Sequence, residues 1–487
     1  MLYSIFYIRR FVPRARDTMV FSSITFLFAF LPAVLIVYYI APKKARNLVL
    51  FLFSLVFYAW GEAVYIWLML ASTVVAYVTG LLADRTKRKD SKLPFFSMLF
   101  AIVWNMGLLL FFKYTDFFIN TANDAFGMHI KLLGFTLPIG ISFYSFQTLS
   151  YVIDVYKGDV KSQKNFLTLG AYVALFPQLI AGPIVRYKDV EEQLMQRSET
   201  VENFSQGVRR FAIGLGKKVI LANNIGALFT LISKTEQSEM SVCAAWLGAF
   251  AYTFQIYFDF SGYSDMAIGL GKMFGFTFLE NFNYPYIASS ITDFWRRWHI
   301  SLSSWFRDYV YIPLGGNRKG KLRQCVNIMI VWFLTGFWHG ANWNFMIWGV
   351  YYGVLLLIEK FLLWNTLKKA PAVITHIYAL FFIIIGWGIF AYDDFSVLTQ
   401  SFKNMFGLGG VPFSNRMTLF NMLSYAVTFA VLIIASTPLP KKLANRLEAK
   451  KPVAFAVCEP LWIAVLLVVS TAYLAGNSFN PFLYFRF

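Results

Sequence analysis

The chain has 487 residues, of which 58% are apolar, 19% are aromatic and only 14% are charged. These values exclude a soluble globular protein and indicate a polytopic helical membrane protein. The net charge of +19 could suggest nucleic-acid binding. The basic residues lie between hydrophobic segments, however, which is typical of topology signals and of contacts with lipid headgroups. We therefore expect a membrane lipid bilayer as partner and no nucleic acid.

Hydropathy marks a series of apolar segments, from which we predict an all-α polytopic integral membrane protein. About 11 to 13 membrane-embedded helices are expected, including re-entrant pieces where prolines and glycines interrupt residues 135–158 and 166–185. In chain order, the segments are residues 19–40, 47–60, 63–83, 94–112, 132–153, 165–181, 207–233, 242–260, 264–279, 323–360, 373–392, 417–436 and 453–475.

Two charge signals conflict at the amino terminus. Basic clusters after the first and third segments are expected in the cytoplasm, which places the start of the first segment outside. Four arginines precede Met19 and favour the opposite orientation. Translation from Met19 would resolve the conflict, so we interpret residues 1–18 as an upstream extension. Residues 19–487 are predicted to form a single membrane domain whose catalytic core spans about residues 135–350.

His339 lies within residues 328–358, a run of 31 residues without Asp, Glu, Lys or Arg. As one helix this run would be about 47 Å long, against a hydrocarbon core of about 30 Å. His339 should therefore lie deep in the membrane, where an ionisable side chain indicates a functional site. Gly336 and Gly340 would let a ligand or another backbone approach, or let the helix break. A histidine that only packs between helices is the alternative.

Residues 293–321 (DFWRRWHISLSSWFRDYVYIPLGGNRKGK) place charged side chains among aromatic ones. The charged and histidine side chains are Asp293, Arg296, Arg297, His299, Arg307 and Asp308. Exposure of the first three to lipid at mid-depth would cost about 8 to 10 kcal/mol, so this segment should be interfacial or enclosed by protein. Asp293 and Arg297 can pair within a helix. An amphipathic interfacial helix remains an alternative.

Asp259 and Asp265 lie in the otherwise apolar residues 257–276, on either side of Gly262. Each buried carboxylate needs a partner or water at that depth. His129 and His376 lie in weaker contexts and are interpreted as structural or solvated. The three isolated cysteines indicate neither a disulfide framework nor a zinc site, so no metal is expected.

Six motifs in order resemble the membrane-bound O-acyltransferase family. They are FYSFQTLSYVIDVYKG (143–158), QLIAGPI (178–184), YFDFSGYSDMAIGLGKMFG (257–275), ENFNYPY (280–286), DFWRRWHISLSSWFRDYVYIPLGGNR (293–318) and GFWHGANWNFMIWG (336–349). Within the family the chain is most similar to the membrane subunit of bacterial alginate O-acetyltransferases, and more distantly to the D-alanyl transfer protein of teichoic acid modification. The resemblance extends from Met19 to the closing FLYFRF.

The resemblance implies a multi-pass enzyme of the bacterial cell membrane with the family fold. It would take an acyl group, most simply acetyl from acetyl-CoA or an acyl carrier protein, and pass it outward for O-acetylation of an extracellular polysaccharide. No bound cofactor is implied. An exported or membrane-anchored esterase-like (SGNH-type) acetyltransferase would be the partner, and an exopolysaccharide the acceptor. The family's histidine pair falls on His339 and His299.

The residues suggest roles that fit this chemistry. His339 would act as general base, and side-chain N–H groups of Trp338 or Asn342 would stabilise the oxyanion. Arg296, Arg297 and Arg307 would attract the phosphates of the donor.

Three alternatives stay open from the sequence. They are a translocator of acyl or lipid-linked groups without thioester chemistry, D-alanyl transfer to teichoic acid, and a structural scaffold of the cell envelope. Motifs of serine hydrolases, P-loop hydrolases, Rossmann enzymes and HExxH zinc proteases do not occur.

Overall fold

The computed structural model describes residues 19–84, 90–180, 182–236, 238–476 and 483. The proposed upstream extension, residues 1–18, lies outside the described residues. Throughout the described ranges, the regular elements are all helical, so the predicted all-α class is confirmed. Six of the described helices are long and apolar enough to cross a membrane, or seven if one bent pair is a single span. The remaining predicted segments form shorter, broken or more polar helices.

The chain divides into two compact units, one ending at Thr200 and one beginning at Val201. The first unit opens with a π-helical segment, Phe26–Phe30, that leads directly into a helix. Its α-helices, within the described residues, are α1 (Leu31–Ile40), α2 (Arg46–Glu62), α3 (Ile66–Ala83), α4 (Leu93–Phe126), α5 (Ile141–Lys157), α6 (Phe166–Ala174), α7 (Phe176–Leu179) and α8 (Tyr187–Met195).

Pro138, Gly140 and Pro177 lie at the starts of helices in the first unit and do not kink them. Gly140 has a left-handed φ of 76° and caps the start of α5, which then continues without interruption to Lys157. Leu175 separates α6 from α7, and Pro177 lies in the first turn of α7. The predicted interruption therefore occurs between α6 and α7, whereas Pro138 and Gly140 precede α5. Both places suit proline, which is best tolerated at or before a first helical turn.

The second unit contains fourteen α-helices within its described residues. They are α9 (Val201–Gly216), α10 (Asn223–Ser233), α11 (Val242–Met273), α12 (Ile291–Arg297), α13 (Ile300–Phe306), α14 (Lys321–His339), α15 (Trp343–Ile358), α16 (Trp364–Lys369), α17 (Ala372–Ala391), α18 (Phe395–Met405), α19 (Arg416–Ser424), α20 (Ala426–Ala435), α21 (Leu439–Lys450) and α22 (Pro452–Gly476). A π-helical segment, Lys217–Ala222, joins α9 to α10.

Helix α11 is the central helix of the second unit, and most of its residues are buried. The sequence predicted two segments here, residues 242–260 and 264–279, but the structure has one uninterrupted helix. Polar residues around Gly262 lower the local hydropathy without breaking the backbone hydrogen bonds. The separation into two segments was therefore wrong.

Glycines bring α9 and α11 into direct backbone contact. A Cβ atom on Gly214 would lie 2.6 Å from the carbonyl oxygen of Gly262, and one on Gly269 would lie 2.7 Å from that of Gly207. Each helix therefore presents two glycines seven residues apart to its neighbour. Small residues at a helix interface are typical of membrane proteins, where close packing replaces the hydrophobic effect as the driving force.

Candidate active site

His339 is the last residue of α14, and the chain reverses immediately after it. Gly340 is extended, and α15 begins at Trp343. Residues 328–358 therefore do not form one helix, and the chain breaks at Gly340, as the sequence allowed. The apolar composition continues through the break, but the helical backbone conformation does not.

The two helices of this hairpin touch through glycines. A Cβ atom on Gly336 would collide with the carbonyl oxygen of Phe345, and one on Gly349 would collide with that of Trp332. Any larger residue would push α14 and α15 apart. The hairpin thus fixes the position of His339 at the end of α14.

Aromatic rings enclose the His339 imidazole. The ring centroid of His339 lies 5.1 Å from that of Trp348, 5.3 Å from Phe390 and 5.0 Å from Trp338. The first two neighbours stand almost perpendicular to the imidazole, at 86° each. Trp348 and Phe390 are buried, whereas His339 is half-buried. The imidazole is therefore restrained by packing but keeps an accessible edge.

His299 lies in the turn between α12 and α13 and has an unusual backbone conformation. Its φ of 45° and ψ of 53° are left-handed. Only two non-glycine residues of the described chain have positive φ, and the other is Tyr284. Such a conformation is sparsely populated for a residue with a side chain, and it persists only where the surroundings hold it.

The segment before α12 provides the contacts that hold this turn. The backbone N–H of Ile300 donates to the carbonyl of Asn281 at 3.0 Å. The Oδ1 atom of Asn281 accepts from the backbone and the hydroxyl of Ser301, at 3.1 and 2.9 Å. Asn283 N–H donates to the carbonyl of Arg297 at 2.9 Å. The ENFNYPY segment therefore positions the His299 turn through backbone hydrogen bonds and through the Asn281 side chain.

The His299 side chain is buried, and its ring centroid lies 6.2 Å from that of Trp338 and 6.3 Å from that of Phe282. Its Nδ1 atom makes no hydrogen bond to another residue in the described part of the chain. Burial lowers the pKa of His299 to about 3, so the imidazole is neutral. Trp338 contacts both His299 and His339, and the structure thus brings the two predicted histidines to one indole ring.

Glu359 anchors the start of α12. Its buried carboxylate accepts hydrogen bonds from the backbone N–H of Thr292 at 2.8 Å, from the Thr292 hydroxyl at 2.7 Å, and from the N–H of Ile291. A charged acceptor at a helix N-terminus satisfies donors that the helix itself leaves unpaired. The sequence analysis missed Glu359, although a single carboxylate directly after a 31-residue uncharged run was a usable signal.

Tryptophans and a tyrosine pack between the elements that carry the two histidines. The Trp295 ring on α12 lies 4.6 Å from that of Trp332 on α14 and 4.8 Å from that of Tyr352 on α15. Trp298 lies 4.7 Å from Trp387 on α17. This aromatic layer fixes the distance between the helices and excludes water from the interior. Trp387 and Phe390 were also missed, because nothing local distinguishes them from ordinary apolar residues.

The predicted arginines differ in their availability. Arg297 donates to the Asp293 carboxylate, with a Nε–Oδ1 distance of 3.0 Å, as the i, i+4 spacing predicted. Arg307 pairs with its neighbour Asp308 at 2.7 Å. Arg296 is exposed and forms no ion pair with any residue that the structure describes. Arg296 is therefore the predicted arginine with the most freedom to bind an anion.

Asn342 lies in the loop after His339, and its side-chain amide donates to the carbonyl of Asp393 at 3.3 Å. One of its two N–H groups is thus already engaged. The predicted role of Asn342 and Trp338 as oxyanion donors stays a prediction.

The two buried carboxylates of α11 pair with cations. Asp259 lies 2.7 Å from Nζ of Lys218, and both side chains are almost fully buried. Asp265 binds Arg210 at 2.6 Å and Lys217 at 2.7 Å. The partners that the sequence analysis required are therefore present. These ion pairs join α11 to α9 and to the π-helical segment, which indicates a role in assembling the helices.

Comparison with known proteins identifies the family. Residues 160–399 match the model of the membrane-bound O-acyltransferase family. The "Probable alginate O-acetylase AlgI" of Pseudomonas aeruginosa is 39% identical over 96% of this chain and 100% of its own length. The chain belongs to the membrane-bound O-acyltransferase family. Both histidines of the candidate site lie inside the matched residues of this O-acyltransferase.

Other relatives differ in their named substrates. The "Peptidoglycan O-acetyltransferase" of Helicobacter pylori is 33% identical over 96% of this chain and 98% of its own length. The "Teichoic acid D-alanyltransferase" of Bacillus subtilis is 28% identical over 53% of this chain and 69% of its own length. The predicted resemblance is thus confirmed, and this membrane-bound O-acyltransferase is closer to the alginate O-acetylases than to the D-alanyl transfer proteins compared.

Proposed function

We propose that this enzyme takes an acetyl group from a cytoplasmic thioester donor and passes it across the bacterial plasma membrane. The group would then serve O-acetylation of an extracellular polysaccharide of the alginate type. The proposal rests on one observation in particular, which is that His299 and His339 contact the same Trp338 ring. Two imidazoles that contact one indole ring suit acyl transfer, because one can act as a general base and the other as a neutral hydrogen-bonding group.

In the proposed reaction, an acceptor hydroxyl attacks the thioester carbonyl carbon. His339 removes the hydroxyl proton as the new C–O bond forms. The C–S bond then breaks, and the departing sulfur takes up the proton. Neutral His299 orients a reacting group through a ring nitrogen, since its Nδ1 atom is not engaged by another described residue. The surrounding rings exclude water that would hydrolyse the thioester.

Exposed cations are available for the anionic part of the donor. Arg296 is exposed without an ion pair in the described structure. Arg318 and Lys319 in the loop before α14, and Lys321 at its first position, are also exposed. Cationic side chains suit both the phosphates of acetyl-CoA and an acidic carrier protein. Either donor is compatible with the proposal.

The proposed acceptor is based on the named substrates of the relatives. The alginate O-acetylase is similar over its whole length, so an alginate-like exopolysaccharide is the first acceptor to test. Peptidoglycan is the second, because a peptidoglycan O-acetyltransferase is also similar over nearly its whole length. In the proposal, an exported or membrane-anchored SGNH-type acetyltransferase receives the group from this enzyme and places it on the polymer.

The test is release of CoA from labelled acetyl-CoA by the purified protein in detergent, with and without polymer and partner. His339→Ala is expected to abolish release, and His299→Ala to reduce it strongly. His129→Ala is the matched control, because His129 lies in an exposed loop. Undiminished polymer acetylation by a well-expressed His339→Ala variant would contradict the mechanism. If folded protein releases no CoA, the carrier-protein donor is tested next.

A translocator of acyl or lipid-linked groups is the competing function. It would move its ligand without cleaving a thioester, and its histidines would only shuttle protons. CoA release that depends on His339 would exclude it. D-alanyl transfer to teichoic acid would instead appear as activity with a D-alanyl thioester and none with an acetyl thioester.

A further inference from the structure

Helix α21 exposes its apolar residues and does not bury them against the rest of the second unit. Leu439, Leu443 and Leu447 recur every four residues and form one stripe along the helix. They are 49%, 48% and 57% exposed. None of the twelve residues of α21 is buried, so the rest of the described protein does not cover this stripe.

A row of basic side chains lies directly beside the leucine stripe. Lys442, Arg446 and Lys450 have the same four-residue spacing and are offset from the leucines by one helical position. All three are exposed, and none forms an ion pair with another residue in the described ranges. Adjacent apolar and cationic rows are typical of helices that lie at the surface of a bilayer with anionic lipids.

The connections of α21 hold it at the ends of membrane spans. Only residues 436–438 separate it from α20, which forms a candidate span together with α19. Only Lys451 separates it from α22, another candidate span. The N–H of Lys451 donates to Leu447, and its carbonyl accepts from Phe455, so the junction is hydrogen-bonded on both sides. A short helix tethered in this way cannot move far from the membrane surface.

We propose that α21 is an interfacial helix that binds anionic phospholipid headgroups through Lys442, Arg446 and Lys450 while its leucine stripe enters the acyl-chain boundary. A bilayer fits better than a protein partner for two reasons. Both ends of α21 continue into spans, and long basic side chains beside an apolar stripe can extend to headgroups while their alkyl stems contact lipid. The proposal does not depend on the enzyme's substrate.

The test uses the full chain with its three cysteines replaced by serine, reconstituted into lipid nanodiscs. A single new cysteine, Leu443→Cys or Asn445→Cys, carries the environment-sensitive fluorophore NBD. Asn445 lies on the far side of α21 and is the matched control. At position 443 the emission should shift to shorter wavelength, and lipids with shallow doxyl groups should quench it. At position 445 the emission should stay as in water. Gel filtration confirms that each variant is folded.

The charge requirement is tested by lipid composition. The shift and the quenching at position 443 should be greater in phosphatidylglycerol mixtures than in pure phosphatidylcholine. Lys442→Gln/Arg446→Gln/Lys450→Gln should remove that difference, whereas Lys441→Gln, on another face, should keep it. Equal, water-like emission at positions 443 and 445 would overturn the proposal, as would burial of position 443 without any dependence on anionic lipid. Burial only after a protein partner is added would also overturn it.

Discussion

Removal of the Glu359 carboxylate should destabilise the protein and disturb His299 at a distance. In Glu359→Ala, the N–H groups of Ile291 and Thr292 lose their acceptor at the start of α12. A buried donor left unpaired costs about 1 to 3 kcal/mol, so with one fully and one partly buried donor we expect a loss of about 2 to 4 kcal/mol. Glu359→Gln retains one acceptor oxygen and should lose less.

The effect on activity follows from the chain path. Helix α12 ends at Arg297, whose carbonyl accepts from Asn283 in the contact that holds the His299 turn. If α12 loosens at its start, His299 loses part of that restraint. CoA release by Glu359→Ala should therefore fall even at temperatures where the variant is folded.

The assay is thermal unfolding in detergent, followed by fluorescence-detected gel filtration, with CoA release measured in parallel. Asp394→Ala is the matched control, because Asp394 also caps a helix, α18, but from an exposed position where water can replace it. We expect a smaller loss of stability and unchanged activity for this control. Equal unfolding temperatures for Glu359→Ala and the wild type would refute the argument.

Three further substitutions test other parts of the site. His299→Asn keeps a residue that tolerates left-handed backbone, so it should fold and lose activity. Because the folded pKa of His299 is about 3 and the unfolded value 6.5, stability should fall as pH drops below about 6.5, and the variant should show less of this fall in a pH series of unfolding temperatures. Gly349→Ala should separate α14 from α15 and lower both stability and activity, whereas Gly107→Ala, which meets open space, should leave both unchanged in the same assays. Lys218→Met should leave Asp259 buried without its cation and destabilise the protein by about 3 to 5 kcal/mol in thermal unfolding, and a stable variant would show that water reaches this pair.

The sequence predicted the fold class and the segments that carry the candidate site. Both can be recognised from composition and from continuous motifs, without knowledge of tertiary contacts. A long uncharged run indicates a membrane-embedded segment wherever it occurs, and the motifs around His299 and His339 are continuous in the chain. The pairing of Asp293 with Arg297 was also predictable, since helical geometry alone brings residues four apart together.

Features that depend on long-range packing could not be predicted. The break after His339 is stabilised by contacts of Gly336 and Gly349 with the facing helix. A hydropathy profile does not detect this break, because the residues around it are apolar. Glu359 and Thr292 are 67 residues apart, and their hydrogen bond exists only because the residue directly after α15 lies beside the start of α12. Lys218 was recognisable as charged, but its pairing with Asp259 depends on how the π-helical segment Lys217–Ala222 packs against α11.

The glycine contacts between α9 and α11 also limit how this enzyme can move. A slide of one helix along the other by one turn, about 5.4 Å, would place side chains where only glycine fits. The same slide would separate Asp265 from Arg210 and Lys217. The two helices are thus locked in register and act as a rigid frame for the second unit. Any opening that admits a substrate to the histidines must therefore involve elements other than α9 and α11.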